Sequence, residues 1–195
     1  MIPKIAAAAA LAVFTTTGSA ETWLIDPEHT EVRAYWDHAG FSEQSLEFTQ
    51  VDGSLTFSLN AVPESQAFFS IPVSSMETGV ERFNHDLWSS TFFDLENHPN
   101  ITFSSTTFQQ TGPKKLKVTG DLTIKDVTRP AVFDVTVHNV GEHPVGKFFD
   151  YFAGNWLGVT AVATIKRSEW GMGAFVPMGS DEIRIVINSE LRAEE

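Results

Sequence analysis

The chain of 195 residues contains no cysteine. Disulfides, thiolate metal sites and thiol nucleophiles are therefore excluded together. Basic charge is scarce. Thirteen Lys and Arg stand against 25 Asp and Glu, a net charge of −12, and a surface of that sign repels nucleic acid and anionic lipid headgroups alike. Tyrosine is rare, with 2 residues beside 16 Phe and 5 Trp. Phenylalanine carries no polar handle, so the interior is large and asks for few hydrogen bonds. There is no Gly-x-Ser-x-Gly elbow, no glycine-rich phosphate loop and no dinucleotide fingerprint. The six His form neither a His-x-His pair nor a His-Glu-x-x-His helix, and no carboxylates have calcium-loop spacing. Neither a metal site nor a catalytic residue is assigned, and an enzyme is the minor reading.

Long apolar runs are missing too, with one exception. Lys4 precedes an apolar run from Ile5 to Phe14, followed by Gly18-Ser19-Ala20. The run is too short to span a bilayer, which takes about 20 residues. A short positive region, a short apolar core and small residues describe a secretory signal peptide. Cleavage after Ala20 leaves a single domain over 21–195, exported and not membrane-spanning. The alanine-rich leader looks bacterial, which places the mature protein in the periplasm.

What the chain does have is alternation. Between Lys115 and Val137, Leu116, Val118, Gly120, Leu122 and Ile124 take every second position, with polar residues between them. A period of two means a pleated strand with one apolar and one wet face. Asp126 to Pro130 breaks the pattern, and Ala131, Phe133, Val135 and Val137 resume it. This reads as an antiparallel hairpin with Arg129 in its loop and Pro130 at a strand entrance.

The same rhythm recurs along the chain. Strands are read over Trp23–Asp26, Val32–His38, Phe48–Asn60, Ala67–Val73, Ile101–Phe108, Leu157–Ile165 and Ile183–Leu191. Between Glu77 and Ser90 the period changes: Val80, Phe83, Leu87 and Trp88 fit one short amphipathic helix after the fourth strand. Gly141 to Gly154 is irregular and reads as a flap. About eight hairpin-connectable strands favour an all-β, closed antiparallel up-and-down barrel, because closure removes the exposed edges. A barrel of that size is either packed solid or holds one small ligand. Gly53, Gly120, Ala34, Ala131, Ala161 and Ala163 on the apolar faces leave room, which favours a cavity.

Few polar residues belong to that interior. His38 shares a face with Trp36 and reads as a rim histidine or a ligand contact. Arg129 and Arg167 can meet an anionic headgroup at a barrel mouth in bidentate fashion. Alternatively each pins a loop by pairing with a local carboxylate such as Asp126 or Glu169.

Several blocks, in order, resemble the YceI-like family of secreted lipocalin-like proteins. They are Trp23-Leu24-Ile25-Asp26-Pro27-Glu28-His29-Thr30-Glu31-Val32, His38-Ala39-Gly40-Phe41-Ser42, and Phe92-Phe93-Asp94 through Pro99-Asn100-Ile101-Thr102-Phe103-Ser104-Ser105-Thr106. Gly120-Asp121-Leu122-Thr123-Ile124 through Val127-Thr128-Arg129-Pro130, Arg167-Ser168-Glu169-Trp170-Gly171-Met172 and Ser180-Asp181-Glu182-Ile183 complete the set. The resemblance implies an elongated barrel with an apolar tunnel for a polyisoprenoid or similar amphiphile. It also implies export, and often homodimers. Two positions depart from the family pattern: Leu46 where a glycine is usual before Phe48, and Asp86 where a histidine commonly precedes Leu87. If that histidine touches the ligand head, Asp86 favours a neutral or cationic headgroup.

The reading is thus a periplasmic carrier of a long-chain amphiphile. The tunnel or mouth is expected to be lined by Trp36, His38, Phe57, Phe69, Phe83, Asp86, Leu87, Phe103, Leu122 and Phe133, with Arg129 and Arg167. No cofactor is expected beyond a co-purifying isoprenoid or quinone-like lipid. The alternatives are an enzyme acting on a lipophilic substrate through His38, Asp86 or Arg167, and a lumenal partner of a membrane cytochrome using the aromatic segment Phe148–Trp156.

Overall fold

A computed structural model describes residues 20–194. The expected leader, Ala20 excepted, lies outside the described residues. Ten strands follow: β1 (Glu21–His38), β2 (Ser42–Phe48), β3 (Asp52–Phe57), β4 (Gln66–Pro72), β5 (Met76–Glu77), β6 (Asn100–Gly112), β7 (Lys115–Ile124), β8 (Val127–Glu142), β9 (Asn155–Lys166) and β10 (Glu182–Ala193). One helix, α1 (Glu81–Trp88), sits between β5 and β6. Among the described residues no helix is long and apolar enough to cross a membrane.

The strands form one antiparallel sheet that closes where β10 pairs with β1. β2 and β3 share one place in the ring. Val32–His38 of β1 pairs with β2, and Glu21–Leu24 pairs with β3. Counted this way the barrel has eight positions, each strand beside its neighbour in the chain, with the two-residue β5 added on the edge of β2. The expected architecture is the one observed.

Several boundaries differ from the sequence reading, each for a local reason. Trp23–Asp26 and Val32–His38 are not two strands but one, because Asp26-Pro27 is absorbed as a bulge. The register of β1 against β10 shifts between Ile25 and Thr30, and the chain continues in the same direction. Phe48–Asn60 is not one strand: it breaks after Phe48 and resumes at Asp52. The turn of the β7–β8 hairpin is shorter than expected, only Lys125-Asp126, with Lys125 in the left-handed region at φ 56°. Arg129 and Pro130 therefore lie within β8, opposite Leu122 and Asp121. β8 meets β9 only from Asp134 onward. The first half of β8 thus has one edge free of sheet partners, where a proline's missing donor is tolerated.

Trp170 fills the gap that this leaves. It is fully buried, and its Nε1 donates to the carbonyl of Leu122 at 3.1 Å. At the other end of the barrel Trp23 is equally buried and donates to the carbonyl of Phe57 at 3.1 Å.

The glycines do not do what the sequence reading assigned them. A Cβ on Gly120 would lie 2.3 Å from Cζ of Phe103, and one on Gly53 would lie 2.6 Å from Cδ1 of Phe69. Gly120 is small because the Phe103 ring from the neighbouring strand lies over its backbone, and Gly53 because the Phe68 carbonyl, 2.2 Å from such a Cβ, and Phe69 crowd it, not because the bore is hollow there. Of the six small residues, only Ala34 and Ala161 face the cavity.

Candidate ligand cavity

A cavity of about 540 Å³ occupies the interior of the barrel. That is within the range of about 300–1,000 Å³ usual for small-molecule sites. Its wall is made by the inward residues of nearly every strand, which is what period-two alternation produces once a sheet closes. Trp36, Phe57, Phe69, Phe83, Leu87, Phe103, Leu122 and Phe133 all line it, as do His38 and Arg167 at one end. The aromatic pairs meet at tilted or edge-on angles: Phe103 and Phe133 are 5.2 Å apart at 78°, and Trp36 and Phe83 are 5.9 Å apart at 51°. Such geometry fills a wall while avoiding face-to-face repulsion.

Few polar atoms enter this wall, and several are already bonded to protein. Thr30 and Ser189 share a hydrogen bond between their hydroxyls at 2.8 Å. Arg33 donates from Nη2 to Glu47 at 2.6 Å. The space that remains is chemically a place for hydrocarbon.

Arg167 pins a loop, as one of the two expectations had it, but through backbone carbonyls rather than a local carboxylate. Its guanidinium donates from Nε to the carbonyl of Ser180 at 2.8 Å, from Nη2 to Gly179 at 3.1 Å and from Nη1 to Met172. Burial pushes its pKa down, opposed by the charge of Asp181. The loop 171–181 is thus pinned by one cation reading three carbonyls, while Asp181 accepts from the amide and hydroxyl of Ser168, each at 2.8 Å. Those two donors hold the Asp181 carboxyl below its usual range, the amide first. The pinned loop sets Met172, Ala174, Phe175 and Met178 into the cavity wall. Sequence reasoning missed these residues because a glycine-rich stretch shows no period. Their one legible signal was the pair of methionines among turn residues.

Two expected site residues are not there. Asp86 lies exposed on α1 and does not line the cavity; the inward residues of that helix are Phe83 and Leu87. An aspartate at that place consequently says nothing about a headgroup. Arg129 is exposed and likewise absent from the lining. Nor does Asp126 pin it, since that carboxylate lies 3.2 Å from Nδ1 of His98. Of the three residues that the enzymatic reading named, His38 and Arg167 line the cavity and Asp86 does not.

A polar cluster stands at the opposite end. The β1 bulge buries Asp26, which accepts from Tyr151 Oη at 2.5 Å and from the Glu28 amide at 3.2 Å, with His29 Nδ1 at 2.6 Å. Burial alone would raise the Asp26 pKa, but these bonds outweigh it and lower it. Conversely, the bond to Asp26 raises the pKa of His29 against the effect of burial. Tyr151, chiefly through the same carboxylate, is pushed up to about 12. His143 Nε2 faces Glu190 at 3.5 Å. The segment read as a flap, now bounded as 143–154, is tied down at both ends by these contacts. Asp26 was legible only as a turn former, because its partner Tyr151 lies 125 residues away in the chain.

Comparison with known proteins extends the geometry. Residues 23–191 match the model of the YceI-like domain. A UPF0312 protein of Photorhabdus laumondii is 28% identical over 185 residues, covering 94% of this chain and 92% of that protein. The crystal structure of Burkholderia cenocepacia BcnA shares the fold with a TM-score of 0.75 at 23% identity, over 85% of this chain and 98% of that one. A polyisoprenoid binding domain from Saccharophagus degradans, implicated in plant cell wall breakdown, shares it at 0.66 with 11% identity, over 90% and 99%.

Proposed function

The chain belongs to the YceI-like family, and from that footing we propose that it is a binding or carrier protein for a polyisoprenoid or similar long-chain amphiphile. The observation that carries this reading is the cavity, which is enclosed by aromatic and aliphatic side chains from strands all round the barrel. A structural relative described as a polyisoprenoid binding domain supports the ligand class. Strands of ten or more residues tilted near 40° give a bore roughly 25 Å long, enough for an extended chain. At about 0.3 kcal/mol per atom, a ligand of about 40 heavy atoms reaches nanomolar affinity without any bond being made or broken. Export to the periplasm, read from the leader, gives such a carrier a place to work between two membranes.

The test is chemical. Protein secreted by its own host and never refolded is extracted with organic solvent, and the extract is analysed by mass spectrometry. One or a few long-chain amphiphiles at near-stoichiometric amounts are expected. An extract free of lipid would overturn the reading.

A further inference from the structure

The mouth of the cavity presents apolar side chains that the fold leaves in water. Phe175 is 63% exposed, Met178 66% and Phe41 91%. Phe175 and Met178 line the cavity as well, so the apolar surface runs unbroken from the bore to the outside. Phe41 sits on the turn between β1 and β2, beside Ala39, which is also in the cavity wall. This turn and the loop carrying Phe175 are joined. His38 bridges Gly179, and the amide of Ser180 donates to the carbonyl of Asp37 at 3.1 Å.

The exposure is not that of a slack loop. Arg167 holds three of its carbonyls, the Gly179 amide donates to the Phe175 carbonyl at 2.9 Å, and Phe92 stacks on Phe175 at 6.3 Å. A backbone fixed this firmly holds its apolar tips outward, and clustered exposed apolar residues mark an interaction surface. A second aromatic group, Phe148 and Phe149, is also exposed. It lies beyond the polar cluster at the other end and has no continuity with the cavity lining.

We propose that the mouth docks on the surface of a lipid bilayer, with Phe41, Phe175, Val176 and Met178 entering the interface. This rests on the carrier reading, because it is the route by which such a ligand passes from hydrocarbon to hydrocarbon without crossing water. Continuity with the bore selects a membrane over a second copy of the chain, which would close the mouth it covered. The net charge of −12 selects an uncharged surface. Attraction must come from apolar insertion, since anionic lipid adds only repulsion.

Phe41→Glu and Val176→Glu, made singly and together, test the proposal, because neither residue lines the cavity. Three quantities are measured for each variant and the wild type. They are co-sedimentation with phosphatidylcholine vesicles, uptake rate of a BODIPY-labelled C16 fatty acid from those vesicles, and equilibrium binding of the same probe in vesicle-free buffer. Wild-type protein is expected to sediment with the vesicles and to take up probe at a rate that rises with vesicle concentration. The double variant should keep its melting temperature and equilibrium affinity within about twofold, stop sedimenting, and take up probe about tenfold more slowly. Equal uptake rates and no sedimentation of the wild type would overturn docking. So would binding that requires phosphatidylglycerol, or a change from dimer to monomer in the variants with vesicle association unaltered. If no protein binds the probe in buffer while the wild type alone sediments, the surface stands and the carrier reading fails instead.

Discussion

Gly120 and Phe103 show how a single hydrogen in place of a side chain shapes this barrel. A methyl group at position 120 would sit 2.3 Å from the ring and 2.6 Å from the Ser104 carbonyl, closer than any relaxed structure allows. Gly120→Ala is therefore expected to force Phe103 off its place against Phe133 and to destabilise the protein by about 1–3 kcal/mol, measured by urea unfolding; an unchanged midpoint would show the ring to be free to move. At the other end, the stability that His29 draws from Asp26 has a sign that can be read. A raised histidine pKa means the contribution is complete below the ordinary value of about 6.5 and is lost as pH rises through the folded-state value. The lowered carboxyl of Asp26 works the other way, present above about 3.9 and lost as pH falls through its folded value. The stability gap between wild type and His29→Gln should therefore shrink as pH rises from about 6.5 through the raised folded-state value, starting from no more than about 1 kcal/mol, because 38% of the His29 side chain is open to water. A gap that widens with pH would reverse the assignment.

At the scale of elements, the loop between β9 and β10 depends on one cation. Arg167→Ala would strip a donor from three carbonyls at once, those of Ser180, Gly179 and Met172. Amides in 171–181 are expected to exchange with solvent at least tenfold faster, while those of β6 and β7 are unaffected. Arg167→Lys should behave like the alanine variant, since one ammonium cannot reproduce a planar fork; full protection in the lysine variant would show that charge alone suffices. This element also marks where the sequence stops being legible. The alternation of β6, β7 and β8 puts Phe103, Leu122 and Phe133 on the inward face, where they line the cavity, because in a closed sheet parity alone decides inside from outside. The pinned loop has no parity, so Met172, Phe175 and Met178 could not be found that way. Asp86 and Arg129 were misplaced for a related reason: a charged group near an apolar run is legible, but its side of a helix, or its place beside a splayed edge, depends on partners far along the chain. The bulge that absorbs Asp26-Pro27 was hidden likewise, since a turn and a bulge use the same residues.

For the whole molecule the consequence is a closed sheet with room inside. Ala34 and Ala161 line the cavity, and β1 and β9 flank β10 on either side. Filling this space with large side chains is a change that the rest of the wall can register only by excluding a ligand or by straining. Ala161→Trp is expected to keep the sheet, seen in the far-ultraviolet circular dichroism, while occupying the bore. Native mass spectrometry of intact protein, purified from its own host without refolding, then tests the central claim most directly. The wild type should carry a discrete added mass that is released on unfolding, and the Ala161→Trp variant should carry none. A wild-type mass equal to the bare polypeptide, or the same added mass on both proteins, would contradict the account.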